Sequence, residues 1–170
     1  MGNFAPAVQI VGYKKTGKTT LVCRLAERYA AMGLRVGTVK HDGHDFEPDV
    51  PGTDSWRHRR AGAAVTAVVS DKRTAWFEER PTRLDELLSG MTGRIDLAIV
   101  EGWKREKYPK VALVQTEEQL PLLVELNGVV AVASWEASLR ARLERETGWP
   151  TFEFDDTERI ANFLLSYAKL

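Results

Sequence analysis

The 170-residue chain carries a single cysteine, Cys23. An intrachain disulfide is therefore impossible, and so is a Cys-x-x-Cys zinc or redox site. No apolar run approaches the roughly eighteen residues of a membrane span. Lys plus Arg and Asp plus Glu each number 24. With no basic excess, neither nucleic acid nor a membrane surface is an expected partner. The opening Met1-Gly2-Asn3-Phe4-Ala5-Pro6 has no charged n-region and no long h-region, so no secretory signal is expected. It begins like a myristoylation site but has Pro6 where Ser or Thr is needed. There is no internal repeat, low-complexity tract or linker. The expectation is one cytoplasmic domain over residues 1–170, long enough to bury about 70% of its unfolded surface.

Against those absences stands Gly12-Tyr13-Lys14-Lys15-Thr16-Gly17-Lys18-Thr19, which fits the phosphate-loop pattern G-x-x-x-x-G-K-[ST]. Its flanks fit as well. Val8 to Val11 reads as a buried strand, and Lys18 to about Met32 as a helix with Leu21, Leu25, Ala26, Tyr29 and Met32 at helical spacing. In such a loop successive backbone N–H groups and the positive end of the helix dipole hold phosphate oxygens. Gly12 and Gly17 let the backbone turn and approach the anion. Lys18 reaches the β- and γ-phosphates, and the Thr19 hydroxyl is a Mg²⁺ ligand. The candidate nucleotide-binding residues are Gly12, Lys14, Lys15, Thr16, Gly17, Lys18, Thr19 and Thr20. The plainer alternative is a basic glycine turn between a strand and a helix.

Strand and helix signals alternate, which predicts an α/β fold with a mostly parallel sheet flanked by helices. Gly33 stops the first helix, and Arg35 to Val39 is a second strand. Lys40 to Thr53 is polar and punctuated by Gly43, Pro48, Pro51 and Gly52, the pattern of a functional loop. Asp54 to Ala61 reads as a helix capped by Thr53 or Asp54. Ala64 to Val69 and Thr74 to Phe77 read as an inserted β-hairpin, and Leu84 to Met91 as a short helix. Ile95 to Val100, Val111 to Val114 and Val129 to Ala133 are further strands. Helices over Glu136 to Glu146 and Asp156 to Ala168 complete the plan, the last with Ile160, Phe163, Leu164 and Tyr167 on one face.

A phosphate loop needs an acid near Mg²⁺, delivered from the carboxyl end of a nearby parallel strand. Glu101 ends such a run, whereas Asp96 lies at its opposite end. Thr19 and Glu101 are thus the candidate metal residues, with an ordinary strand-terminal glutamate as the alternative. All three histidines, His41, His44 and His58, fall in one window with Asp42, Asp45, Asp49 and Asp54. The segment reads as a switch-like loop with Asp42 near Mg²⁺ or the attacking water, as a transition-metal site, or as a solvated loop. Asp42 and Glu101 are the catalytic candidates. Arg57-His58-Arg59-Arg60 reads as a solvated helix face. Trp103-Lys104-Arg105-Glu106-Lys107-Tyr108-Pro109-Lys110 could hold a second phosphorylated ligand, its rings stacking on a heterocycle, or simply pack on the surface.

Taken together, several segments resemble the MobB family, the molybdopterin-guanine dinucleotide biosynthesis adapter proteins. They are GYKKTGKTT at 12–20, Lys40-His41-Asp42-Gly43-His44, Asp49-Val50-Pro51-Gly52-Thr53-Asp54-Ser55, Ala61-Gly62-Ala63, Glu101-Gly102-Trp103-Lys104 and Pro109-Lys110. The resemblance spans residues 8 to about 114; in the last third only the α/β pattern fits. It implies a P-loop fold, GTP binding with Mg²⁺ and weak intrinsic GTPase activity at most. It also implies a homodimer and cooperation with the guanylyltransferase that attaches GMP to molybdopterin. Molybdopterin itself is a candidate for the Trp103–Lys110 loop. By position, Lys18, Thr19 and Glu101 map onto the phosphate and Mg²⁺ site, and His41, Asp42, His44, Pro51, Asp54 and Ser55 onto the loop facing it.

No Asn-Lys-x-Asp quartet is present, so guanine preference rests on the resemblance; Ala133-Ser134-Trp135 is the expected place for a base pocket. Two rival functions use the same fold. A small-molecule kinase would employ Arg57, Arg59 and Arg60 as lid charges and Asp42 or Glu101 as base. A metal-delivery GTPase, as in nickel-centre assembly, would normally carry a cysteine-containing metal motif, and Cys23 is poorly placed for one.

Overall fold

Strand β1 (Ala7–Gly12), which leads into the phosphate loop, is buried along its whole length. Helix α1 (Lys18–Ala31) leaves the loop at the expected residue. The computed structural model describes residues 5–168; Met1–Phe4, on which the signal and acylation readings mainly rest, lie outside the described residues. The chain divides into two compact units, Met1–His41 with Leu87–Leu170, and Asp42–Glu86.

The first unit holds β1 together with β2 (Val36–Lys40), β5 (Leu97–Glu101), β6 (Lys110–Leu113), β7 (Val129–Ser134) and β8 (Thr151–Glu153). They form one sheet in the order β2-β5-β1-β6-β7-β8, every neighbouring pair parallel. Alternation along the strands sends residues to two cores. On one face Val8, Ile10, Ile99 and Leu113 meet Leu21, Leu25 and Tyr29 of α1 and Ile160 and Leu164 of α6 (Thr157–Ala168). On the other, Val11, Ala112 and Val132 meet Leu122 of α4 (Pro121–Glu125) and Leu139 and Leu143 of α5 (Ala137–Thr147). Buried on both faces, the central strands read as continuous apolar runs.

Some expectations shift. Met32 is 50% exposed because α1 ends before it, and Tyr167 is 47% exposed. The β5 strand begins at Leu97, not Ile95, and includes Glu101. Strand β8 and helix α4 had no sequence signal: one is three residues long and the other five. Asp96 sits at the amino end of β5, its carboxylate 2.7 Å from the Arg35 guanidinium.

The second unit contains α2 (Asp54–Arg60) and the antiparallel hairpin of β3 (Val65–Val69) and β4 (Thr74–Glu78), the insertion expected from the sequence. Thr53 caps α2, accepting from the Trp56 N–H at 3.4 Å. Helix α3 (Leu84–Met91) begins in this unit and ends in the first. The helix α2 cations do not all form a solvated face. The Arg59 side chain is only 10% exposed, with Glu47 at 2.7 Å and Glu79 at 2.6 Å. Asp49 lies 4.0 Å away, and the guanidinium also sits 5.0 Å over the Phe77 ring.

Candidate functional site

The loop between β1 and α1 is built around its two glycines. Gly17 adopts φ +78°, a region L side chains rarely enter. A Cβ there would also lie 2.6 Å from Phe154 Cζ and 3.2 Å from Trp135 Cη2. At Gly12 a Cβ would meet the Thr16 hydroxyl at 2.6 Å and the Leu113 carbonyl oxygen at 3.0 Å. Thr16 is fully buried and its hydroxyl donates to the Tyr13 carbonyl at 2.9 Å. Its side chain therefore braces the loop, leaving its backbone N–H as the group for a ligand. Lys14, Lys15, Thr19 and Thr20 are exposed, and Lys15 turns the backbone with φ 63°.

Lys18 lies across the loop, its ammonium donating to the Tyr13 carbonyl at 2.5 Å. Burial pulls its pKa below the ordinary lysine value; Glu101 opposes this, while Lys104 and Lys40 add to it. The parallel register brings the acid to the loop, because Glu101 on β5 pairs with Ile10 on β1 and Lys40 on β2. Glu101 is 7% exposed. The Thr19 hydroxyl donates to its carboxylate, 3.0 Å from each oxygen. Lys40 Nζ stands 4.0 Å from Glu101 Oε1. A hydroxyl and a carboxylate side by side are the oxygen donors a hard divalent cation takes. Lys18, Thr19 and Glu101 are thus brought together as the spacing anticipated.

His41 lies on the same edge. Its N–H donates to the Glu101 carbonyl at 3.0 Å and its ring lies 4.9 Å from that of Trp103. Asp42, His44, Pro51, Asp54 and Ser55 belong to the second unit. There Asp42 accepts from the His44 N–H at 3.3 Å, and Thr53 and Ser55 hydroxyls lie 3.3 Å apart. Among the described residues no group of three or more His, Cys, Asp or Glu is arranged to hold a metal ion. The Arg59 guanidinium is committed to its carboxylates and so does not stand as a free lid charge.

Two features of this edge escaped sequence reasoning, the partner of Trp135 and the anchoring of the β5–β6 connection. Trp135, just beyond β7 in the segment expected to form a base pocket, and Phe154, just beyond β8, stack at 3.8 Å with 19° between their planes, against Gly17. Phe154 carries no local signal, since it enters only through the order of the strands. The second feature is the connection from β5 to β6, which passes β1 with no helix. A crossover without a helix brings bare carbonyls against the sheet, and they need donors. Gln9 Nε2 donates to the Gly102 and Trp103 carbonyls, each at 2.9 Å. Lys110, its register neighbour, donates to the Glu106 carbonyl and, at 3.0 Å, to that of Tyr108. Both side chains are fully buried, and burial holds the Lys110 pKa below its ordinary value against the pull of Glu106. The amide inside the β1 apolar run was the available clue.

Comparison with known proteins places the chain in a family. The family described as Molybdopterin guanine dinucleotide synthesis protein B (MobB) matches residues 7–135. The chain belongs to the MobB family. The probable molybdopterin-guanine dinucleotide biosynthesis adapter protein of Bacillus subtilis is 33% identical over 172 residues, covering 96% of this chain and 94% of that protein. A crystal structure of Bacillus subtilis MobB superposes with a TM-score of 0.79 at 32% identity, covering 95% of this chain and 96% of that one. HypB from Helicobacter pylori, solved in complex with nickel, gives 0.54 at 15% identity over 97% of this chain and 87% of its own, a likeness of fold alone.

Proposed function

We propose that this chain is an adapter in molybdopterin guanine dinucleotide biosynthesis that holds GTP with Mg²⁺ and acts with the guanylyltransferase of that pathway. Membership of the MobB family and relatives named as adapter proteins support the pathway and the role. The observation that carries the nucleotide reading is the Thr19–Glu101 contact beside Lys18, a set of oxygen donors and a cation at the mouth of a phosphate loop. Thr19 and Glu101 would hold Mg²⁺, which would supply charge neutralisation between the phosphates. The backbone N–H groups from Lys14 to Thr20 and the Lys18 ammonium would grip the phosphate chain. The Trp135–Phe154 stack beside Gly17 is the surface on which a purine would rest. Stacking is tolerant of base identity, so guanine preference would have to come from edge contacts made around it.

Hydrolysis in this reading is slow, with Glu101 and Asp42 as the acids near the metal or the water. A homodimer in the cytoplasm, with molybdopterin or the partner enzyme at the basic loop, completes the proposal. Calorimetric titration of GTP, GDP and ATP with Mg²⁺, with and without guanylyltransferase and molybdopterin, tests it. GTP preference coupled to either added component is the expected result; ATP preference without coupling would favour a kinase. Glu101→Gln should retain GDP binding while losing much of the Mg²⁺ dependence of GTP binding. Equal Mg²⁺ dependence in variant and parent would remove Glu101 from the site.

A further inference from the structure

The basic loop after β5 divides its charges. Arg105 and Lys107 are exposed, whereas Lys104 is half-buried with its ammonium 4.6 Å from the centroid of the Tyr13 ring. Tyr13 is the second residue of the phosphate loop, and its carbonyl already receives Lys18. One tyrosine therefore bears a cation on its ring and another on its carbonyl. Lys40 is the third cation of the group, 4.0 Å from Glu101. Lys18 thus feels two like charges, Lys104 and Lys40, and one opposite charge, Glu101, an excess of positive charge that an anion would relieve.

This crowding is fixed in place. Gly102 at φ 89° and Trp103 at φ 51° turn the chain out of β5. Gln9 and Lys110 then anchor four carbonyls on either side of Lys104. The strand order adds a direction. Trp135 and Phe154 follow β7 and β8 on one side of β1, while Lys40 and Glu101 belong to β2 and β5 on the other, and Lys104, in the connection that leaves β5, stands over Tyr13 just beyond β1. A nucleotide with its base at the aromatic stack and its phosphates across the loop carries its outermost phosphate toward Lys104.

We propose that Lys104, aimed by Tyr13 and accompanied by Lys40, contacts the terminal phosphate of a bound nucleoside triphosphate and sets the preference for triphosphate over diphosphate. The inference rests on the nucleotide-binding reading above and moves Lys104 from a second-ligand loop into the nucleotide site. Arg105 and Lys107 are left to face solvent or a partner.

Calorimetry with GTP and GDP, each with Mg²⁺, decides it on the full-length protein. Lys104→Ala should weaken GTP about tenfold, the size of one charge-assisted contact, and GDP by less than about twofold. Lys104→Arg should restore most of the GTP affinity, and Tyr13→Leu should lose part of it. Arg105→Ala/Lys107→Ala should leave both nucleotides as in the parent. An unchanged GTP-to-GDP ratio in Lys104→Ala, in a protein that still binds GTP, overturns this proposal alone. A parent protein that binds neither nucleotide overturns the nucleotide reading with it.

Discussion

The two units are held together by different forces. In the sheet unit, Ile10, Leu21, Leu25, Leu97, Ile99 and Leu113 have no exposed surface at all. In the Asp42–Glu86 unit only Thr66 and Leu84 are buried, and Val65, Val69 and Trp76 stand exposed on one hairpin face. Its organising centre is instead the Arg59 guanidinium with Glu47, Glu79 and Asp49. Hydrogen bonds to Arg59 hold Glu47 below the usual carboxylate range. At Asp49 burial acts upward, but hydrogen bonds with Ser55, the Val50 N–H and Thr53 win and keep it low. The lesson concerns robustness: apolar burial is not weakened by charge screening or mild acid, whereas a charge cluster is sensitive to both. A site that must grip phosphates with fixed geometry is built on the first kind of support.

The largest effect expected is Leu25→Ala, which opens a cavity between α1 and the sheet and should cost about 2–5 kcal/mol. Chemical denaturation of the sheet unit reads it; a loss below about 1 kcal/mol would mean the core is looser than its burial indicates. Lys18→Ala comes next, weakening GTP roughly 100-fold by removing a charge-assisted phosphate contact, with the fold unchanged by circular dichroism. Unchanged affinity would remove the loop from nucleotide binding.

Arg59→Ala should act on the other side of the comparison. Amide exchange should rise through residues 42–86 while β1 and β5 keep the parent's protection, and about 0.5 M salt should reproduce part of the effect. Uniform acceleration over the whole chain would show that the units do not open separately. The smallest effect belongs to Asp96. The Arg35 guanidinium and N–H, donating to its carboxylate, hold its pKa at about 2, below its ordinary 3.8. A depressed carboxylate contributes stability that is present above the unfolded value and lost as pH falls toward the folded one. Asp96→Asn should therefore flatten the acid limb of the melting temperature between about pH 4 and about pH 2. An unaltered limb would mean other acids govern it.

Much of the fold was legible. The strand, loop and helix around Gly12–Thr19 follow from a buried run, two glycines and a helical repeat, all local in the chain. The β3–β4 hairpin followed from its turn residues, and Glu101 from its place at the end of an interior strand. Boundaries moved by one or two residues, since a strand continues for as long as a neighbour supplies hydrogen bonds. Arg59 was misread because periodicity on a short helix does not reveal which carboxylates the tertiary fold brings to it. The Phe154–Trp135 stack and the contact of Lys104 with Tyr13 were unreadable for the same reason, the partners being distant in sequence.

By itself, then, the amino-acid order determined the alternating α/β plan, the phosphate loop with Lys18 and Thr19, and the acid that would complete it. These depend on spacing within single elements, where backbone geometry leaves few choices. The tertiary structure alone decided that Phe154 stacks on Trp135 beside the loop, that Lys40 stands near Glu101 and that Lys104 lies over Tyr13. It also decided that Gln9 and Lys110 are the donors anchoring the crossing loop. Those facts depend on which strands become neighbours, and that is settled by how several apolar faces bury one another together.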